Sequence, residues 1–272
     1  MKLAVWNYPP AEFLISGFTS GRVAAPFEIE RRTIPECEQM LAGHDADVAM
    51  VTTLSVLRHP DAYDVLPAVA LSTWSYPYAR LVLKHGLERP FEQVAFNPVC
   101  TQEAFLAQLV LKEHYRMTPE FVPHEGATQQ ELLASGEDAV LLVGSDVPMW
   151  SSDALWLDLG QEWFELANYP MVWGFFATRK GEATPDVIRA VRNNVRAAEA
   201  QRDVWVRAQE TTAALHEFYS EDLRVRLDDL VVASLTELNQ YLYYYHVLPE
   251  VADVPFVYLD EEGEEGGADP SL

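Results

Sequence analysis

Twice along the chain a short apolar run closes on a polar loop and opens into a segment of helical periodicity, and this repeated unit constrains the fold more than any other feature. In the first copy residues 2–6 end at Asn7-Tyr8-Pro9-Pro10, and a helix is predicted over residues 12–18. Residues 27–33 then alternate as a strand, residues 35–41 fit a short helix with proline in its first turn, and residues 47–52 form a nearly continuous apolar strand. Strands apolar on both faces and separated by helices predict a parallel sheet covered on both sides. Further strands are predicted at residues 63–73 and 78–84, around the turn Trp74-Ser75-Tyr76-Pro77. The second copy starts at residues 93–96 and passes through the loop 97–101 into a helix over 102–115, with Phe105, Leu106, Leu109 and Val110 on its apolar face. Strand, helix and strand follow at 121–123, 129–133 and 138–144, and a long strand at 171–178.

Length agrees with two such halves, since 272 residues at roughly 150 per domain give just under two domains. The fold class expected is therefore α/β in two lobes, the first built from residues 1–82 plus 177–259 and the second from 83–176, with hinge crossings at 78–84 and 171–178. Residues 185–209 read as one amphipathic helix without a breaker. Ser234-Leu235-Thr236-Glu237 reads as a capping box opening a tyrosine-rich helix that runs to about residue 247. The tail 260–272, acidic and glycine-containing, is expected to be disordered.

Charge removes whole classes of function. With 42 acidic residues against 19 basic ones the formal net charge is −23, and no stripe of Lys and Arg exists to meet phosphates, so a nucleic-acid partner is not expected. The only lysines are Lys2, Lys84, Lys112 and Lys180, a pattern that suits either plain solubility or concentrated salt. The longest apolar stretches fall short of the roughly 20 residues of a spanning helix. The opening segment reads as a strand rather than a signal peptide, so a cytoplasmic location is expected. Cys37 and Cys100 lack metal-ligand spacing and the seven histidines are scattered singly, so neither a disulfide framework nor a metal site is predicted. Gly-rich phosphate loops, zinc-binding His-Glu helices and Gly-x-Ser-x-Gly elbows are absent.

In α/β lobes, ligands bind beyond the carboxyl ends of the strands. The candidate site residues are accordingly Trp6, Asn7 and Tyr8; Thr52 and Thr53; Trp74, Ser75 and Tyr76; Cys100, Thr101 and Gln102; and Ser145 and Asp146 after Gly144. Free amides at the start of the helix after residue 97 make that loop the preferred place for an anion, although Thr101 also suits capping its own helix. The aromatic residues Trp6, Tyr8, Trp74, Tyr76, Tyr78 and Trp173 could line a pocket for a flat ring or fill the core.

Asp158-Leu159-Gly160-Gln161-Glu162-Trp163, followed by the segment Tyr169-Pro170-Met171-Val172-Trp173-Gly174-Phe175-Phe176-Ala177-Thr178-Arg179, resembles a known pattern. It is that of the menaquinone-biosynthesis proteins of the futalosine route, which include chorismate dehydratase. Residues 46–51, 66–71 and 139–144 fall at matching intervals, and the likeness runs from Lys2 to about Leu248. The resemblance implies a periplasmic-binding-protein-like (type II) fold with two hinge crossovers. It also implies an enzyme without cofactor or metal that holds a small aromatic or carboxylate ligand between the lobes and removes water from chorismate. The polar pocket of the family departs here: Pro10 stands at its first-loop Asn, Ala79 and Ser55 at a Ser and a Glu, and Val99-Cys100-Thr101-Gln102-Glu103 at a Ser-Ser-Arg-Thr-Ser loop. Loss of that Arg and gain of Glu103 disfavour a dianion at the same place. Asn7 and Ser75 are then the nearest substitutes for the missing catalytic groups. Two readings follow, a chorismate dehydratase-like carbon–oxygen lyase and a binding protein for another small aromatic or carboxylate ligand. The oligomeric state is open.

Overall fold

The computed structural model describes residues 1–67, 69–87, 91–149, 154–209 and 212–257, so the acidic tail lies outside the described residues. In the first sheet β1 (Lys2–Trp6) lies parallel between β2 (Glu28–Arg32) and β3 (Val48–Thr52). The helix α1 (Pro9–Leu14) and the short α2 (Ser16–Thr19) follow β1, and α3 (Ile34–Ala42) connects β2 to β3. The predicted helix over 12–18 is thus two pieces. Thr33 caps α3 in a reciprocal box with Glu36, which supplies acceptors to otherwise unpaired first-turn donors.

After α4 (Thr53–Arg58) the predicted strand at 63–73 is two short strands, β4 (Tyr63–Val65) and β5 (Leu71–Thr73), which pair with different stretches of one long strand. The chain then leaves the first sheet. β6 (Ala79–Leu83), β7 (Gln93–Phe96), β8 (Glu120–Pro123), β9 (Ala139–Val143) and β10 (Leu155–Asp158) form a second sheet in the order β10-β6-β9-β7-β8. Its helices are α5 (Thr101–Glu113) and α6 (Gln129–Ala134), and α7 (Leu159–Ala167) follows β10. The chain returns as β11 (Met171–Arg179), which runs antiparallel to β3, β4 and β5, so the first sheet is mixed rather than parallel.

Sheet membership corrects the expected hinges. β6 is antiparallel between β9 and β10, and β11 lies inside the first sheet, so neither segment is a crossing. The crossings are instead residues 74–78 and the α7 segment, 159–170, where no strand partner is available. Expected lobe limits at 82/83 and 176/177 cut through two fully hydrogen-bonded strands. Both apolar runs are strands, as their sequences predict, but nothing local says which sheet a strand joins.

The two crossings are bolted to each other. Asp158 caps α7 by accepting from the amides of Gly160 and Gln161 at 2.9 and 3.1 Å, and the same oxygen accepts from the Tyr76 amide at 2.6 Å. Burial pushes the Asp158 carboxyl up to about 6, against the pull of those three amides and of Arg80. On β11, Gly174 leaves room for an indole: a Cβ there would lie 2.5 Å from the Trp6 ring.

At the C-terminal end the predicted helix over 185–209 breaks at Ala200-Gln201 into α8 (Pro185–Glu199) and α9 (Arg202–Ala208). After α10 (Ala213–Glu217), a π-helical turn at Phe218–Asp222 and β12 (Leu223–Arg224), the last helix, α11, spans Asp229–Tyr244. Its cap is Asp228, which accepts from the Val231 amide at 3.1 Å, and not Ser234. Ser234 sits inside the helix and its hydroxyl accepts the indole N–H of Trp163 at 3.1 Å, so a buried partner outweighed the local capping signal. No described helix is long and apolar enough to cross a membrane.

Candidate functional site

The ends of β1, β3 and β5 meet the first turn of α5 across the gap between the two sheets, and aromatic rings fill the junction. Trp6 is fixed by its indole N–H, which donates to the Met50 carbonyl at 3.1 Å, and its ring lies parallel to Tyr8 with centroids 5.7 Å apart. Tyr76 donates its hydroxyl to that of Tyr8 at 2.7 Å and stacks on Trp173 at 4.0 Å. Tyr78 tilts against both tyrosine rings and shares a hydroxyl hydrogen bond with Tyr219. Such tilted and offset ring pairs add to simple area burial.

Glu103 enters this cluster from the other lobe. It is only 3 % exposed, on the first turn of α5, and makes no hydrogen bond or ion pair with any other described side chain. Burial pushes its carboxyl up to about 7; its own backbone amide pulls the value down and Glu38 pushes it further up. Burial, and after it the Glu103 charge, holds the Tyr8 hydroxyl well above the usual tyrosine range, which places the two groups in one electrostatic unit. Tyr76 is raised by burial first and Tyr8 second. Burial also raises the Cys100 thiol, with Glu103 adding to the effect. A carboxyl that exchanges its proton near neutral pH, set beside phenol hydroxyls in a water-poor junction, is suited to giving and taking protons.

Gln102 ties the lobes together beside it. Its carbonyl oxygen accepts the Leu54 amide at 2.9 Å and its amide nitrogen donates to the Trp173 carbonyl at 2.9 Å. Both partners belong to the first lobe while α5 covers the second sheet. Gln102→Ala leaves a buried N–H and a buried C=O unpaired, and the expected cost is about 2–3 kcal/mol. Urea denaturation checks this, and an unchanged midpoint would show that the tie carries no stability.

The structure divides the predicted residues into groups. Tyr8, Tyr76 and Cys100 lie within electrostatic reach of Glu103, Gln102 precedes it on α5, and Trp6 joins them through its stack on Tyr8. Thr52 donates its hydroxyl to Glu38 at 2.9 Å and caps α4, whereas Thr53 is fully buried and gives its hydroxyl to the Val172 carbonyl at 2.8 Å. Trp74 and Ser75 face another way: the Trp74 ring meets Phe164 edge-on, and Ser75 donates its hydroxyl to Asp222. Asn7, Thr101, Ser145 and Asp146 are exposed. Glu38, Asp222 and Tyr219 lie outside the strand ends at which site residues are expected, and Glu103 lies one residue beyond Gln102. Glu103 had one visible signal, an acid on a helix start that follows a strand end.

Cys37 and Cys100 are free thiols. Away from the cleft, His114, Glu162 and Glu165 each bring a ligand-type atom within 4.8 Å of the others. Glu162 is occupied there by the Tyr115 hydroxyl, at 3.0 and 3.1 Å, and by His114 at 3.4 Å, which ties α5 to α7.

This architecture has known counterparts. Protein AF1704 from Archaeoglobus fulgidus is similar over 91% of this chain and 98% of its own, with 19% identity and a TM-score of 0.68. A Candida albicans gene product described as having the generic periplasmic binding protein fold matches over 97% and 99%, at 16% identity and a TM-score of 0.60. The alkanesulfonate-binding protein SsuA from Xanthomonas axonopodis, solved with MOPS bound, matches over 94% and 97%, at 14% identity and a TM-score of 0.59. The fold is thus the two-lobed periplasmic-binding-protein one. No curated protein matched the chain. The family model for menaquinone biosynthesis matches residues 1–244. It takes in the capping Asp158, the close-packed Gly160 and Gly174 and the whole aromatic junction, and by that match the chain belongs to the menaquinone biosynthesis family.

Proposed function

We propose that the chain is a carbon–oxygen lyase that dehydrates chorismate or a close ring analogue in the interlobe cleft, with Glu103 moving the proton. The observation that carries this reading is the buried Glu103 carboxyl, raised to about 7 beside Tyr8. Dehydration breaks one ring C–H bond and one ring C–OH bond, aromatises the ring and releases water. Ionised Glu103 accepts the ring proton, and the same carboxyl returns it to the departing hydroxyl if both leave from one ring face. Tyr8 and Tyr76 supply hydroxyls and a flat stacking wall. Asn7, exposed just after β1 and adjacent to Tyr8, is the proposed polar contact to the substrate, whereas Ser75 is held by Asp222.

One observation favours a second reading, binding without turnover. The residues gathered at the junction include no Lys or Arg to neutralise two carboxylates. Such a site suits a less charged ring, and fold neighbours such as SsuA with MOPS hold small molecules. Absorbance assays of chorismate consumption by the purified chain separate the two. Turnover supports the lyase; tryptophan quenching by aromatic acids without any turnover supports the binding protein.

A further inference from the structure

Arg192 and Arg196 stand one turn apart on the same face of α8 and open into a cavity of about 300 Å³ that they share with Val195, Glu199, Arg226 and Leu227. Neither guanidinium forms a hydrogen bond or ion pair with any described residue, and the Nε of Arg192 is buried without a partner. Several other arginines find an acid, Arg31 with Glu12, Arg32 with Glu30, Arg179 with Glu182, Arg189 with Asp186 and Arg224 with Asp228, and Arg80, Arg202 and Arg207 bond backbone carbonyls. Across the cavity, Arg226 is neutralised by Glu199. With 42 acidic residues against 19 basic ones, carboxylates are the commonest charged neighbours available, yet the acid lining this cavity, Glu199, is taken by Arg226 and bonds neither member of the pair. Like charges at i and i+4 repel on a helix face, and an anion bound between them would relieve that repulsion.

We propose that this cavity binds the phosphoryl group of a small phosphate monoester. Two unpaired guanidinium forks match a dianion that offers several oxygens, and the fork geometry of Arg suits phosphoryl oxygens. Glu199 cancels the third cation, so two positive charges remain for two negative ones. The net charge of −23 repels larger polyanions, which limits the ligand to a compact one. The cavity is about ten times the roughly 30 Å³ share of a water molecule, more than a phosphate group fills. Val195 and Leu227 supply the apolar surface that the organic part of the ester would cover.

Isothermal titration of the full chain at low ionic strength with phenyl phosphate, inorganic phosphate and benzoate tests the assignment. Phenyl phosphate is expected to bind at one site and more tightly than either of the others. The double variant Arg192→Gln/Arg196→Gln is expected to bind it at least tenfold more weakly, while Arg58→Gln, at the exposed end of α4, leaves binding unchanged. Arg192→Lys, which keeps the charge and loses the fork, is expected to fall between. Thermal melts of each variant check that the fold is retained. Binding that survives in the folded double variant, or no binding by the native chain, overturns the site. Benzoate binding as tightly as phenyl phosphate overturns the phosphoryl assignment, and inorganic phosphate doing so overturns the ester.

Discussion

Replacing Glu103 with Gln is expected to lower chorismate turnover by a factor on the order of a hundred to ten thousand, the usual contribution of a positioned acid–base group. The substitution keeps the side chain's shape and removes only its proton chemistry. For the native chain, activity should rise with pH through about 7, because the ionised carboxyl takes the proton. The same group controls stability in the opposite sense. Its folded value lies above its ordinary value of 4.5, so the folded state holds the proton more tightly than the unfolded chain. Stability from this group is fully present below about pH 4.5 and is lost as pH rises to about 7. The cost above that window is on the order of 3 kcal/mol, or about 5–10 °C in Tm for a chain of this size. Asp158, raised to about 6, acts with the same sign at lower pH. Melting curves from pH 4.5 to 8 should therefore fall steeply for the native chain and less steeply for Glu103→Gln. Equal slopes would remove Glu103 as a buried titrating group, and a variant with full turnover would remove it from the chemistry.

Gly160→Ala is expected to destabilise the protein by on the order of 3 kcal/mol or more, through overpacking against atoms that cannot retreat. A Cβ at that position would lie 2.7 Å from both the Ser75 carbonyl carbon and the Tyr76 nitrogen, and 2.9 Å from the Tyr76 Cβ. Backbone must move, and it is the backbone that Asp158 holds at the first crossing. Pushing Tyr76 away would break that hydrogen bond and shift the ring that stacks on Trp173. A fall in Tm of about 10 °C is the expected readout, together with a changed tryptophan fluorescence spectrum. A variant that melts within 2 °C or so of the native chain would mean that the crossing is looser than its hydrogen bonds imply.

The placement of Asp158 and Gly160 explains why part of the fold was legible. A capping Asp followed by a glycine and a buried Trp is a local pattern, carried by residues within one helical turn and a half. Glu103 shows the other side. Its sequence context, an acid in a helix's first turn, is usually a solvated and favourable position. Here it becomes a buried group because Gln102 docks α5 onto Leu54 and Trp173, residues 48 and 71 positions away. Ser75 and Tyr76 are adjacent in the chain, yet one reaches Asp222 and the other Tyr8. Ser234 carried a capping signal that a buried indole overruled.

Periodicity and apolar runs determined most of the strands and longer helices, the α/β class and the division into two halves, because those depend on neighbours within a few residues. The ordered motif around Asp158 determined the family. Only the tertiary structure decided that β6 joins the second sheet and β11 the first, which strand ends converge, and which carboxyl is taken out of water. Strand partnership is made by backbone groups that every residue carries alike, and desolvation depends on what packs against a side chain from distant parts of the chain.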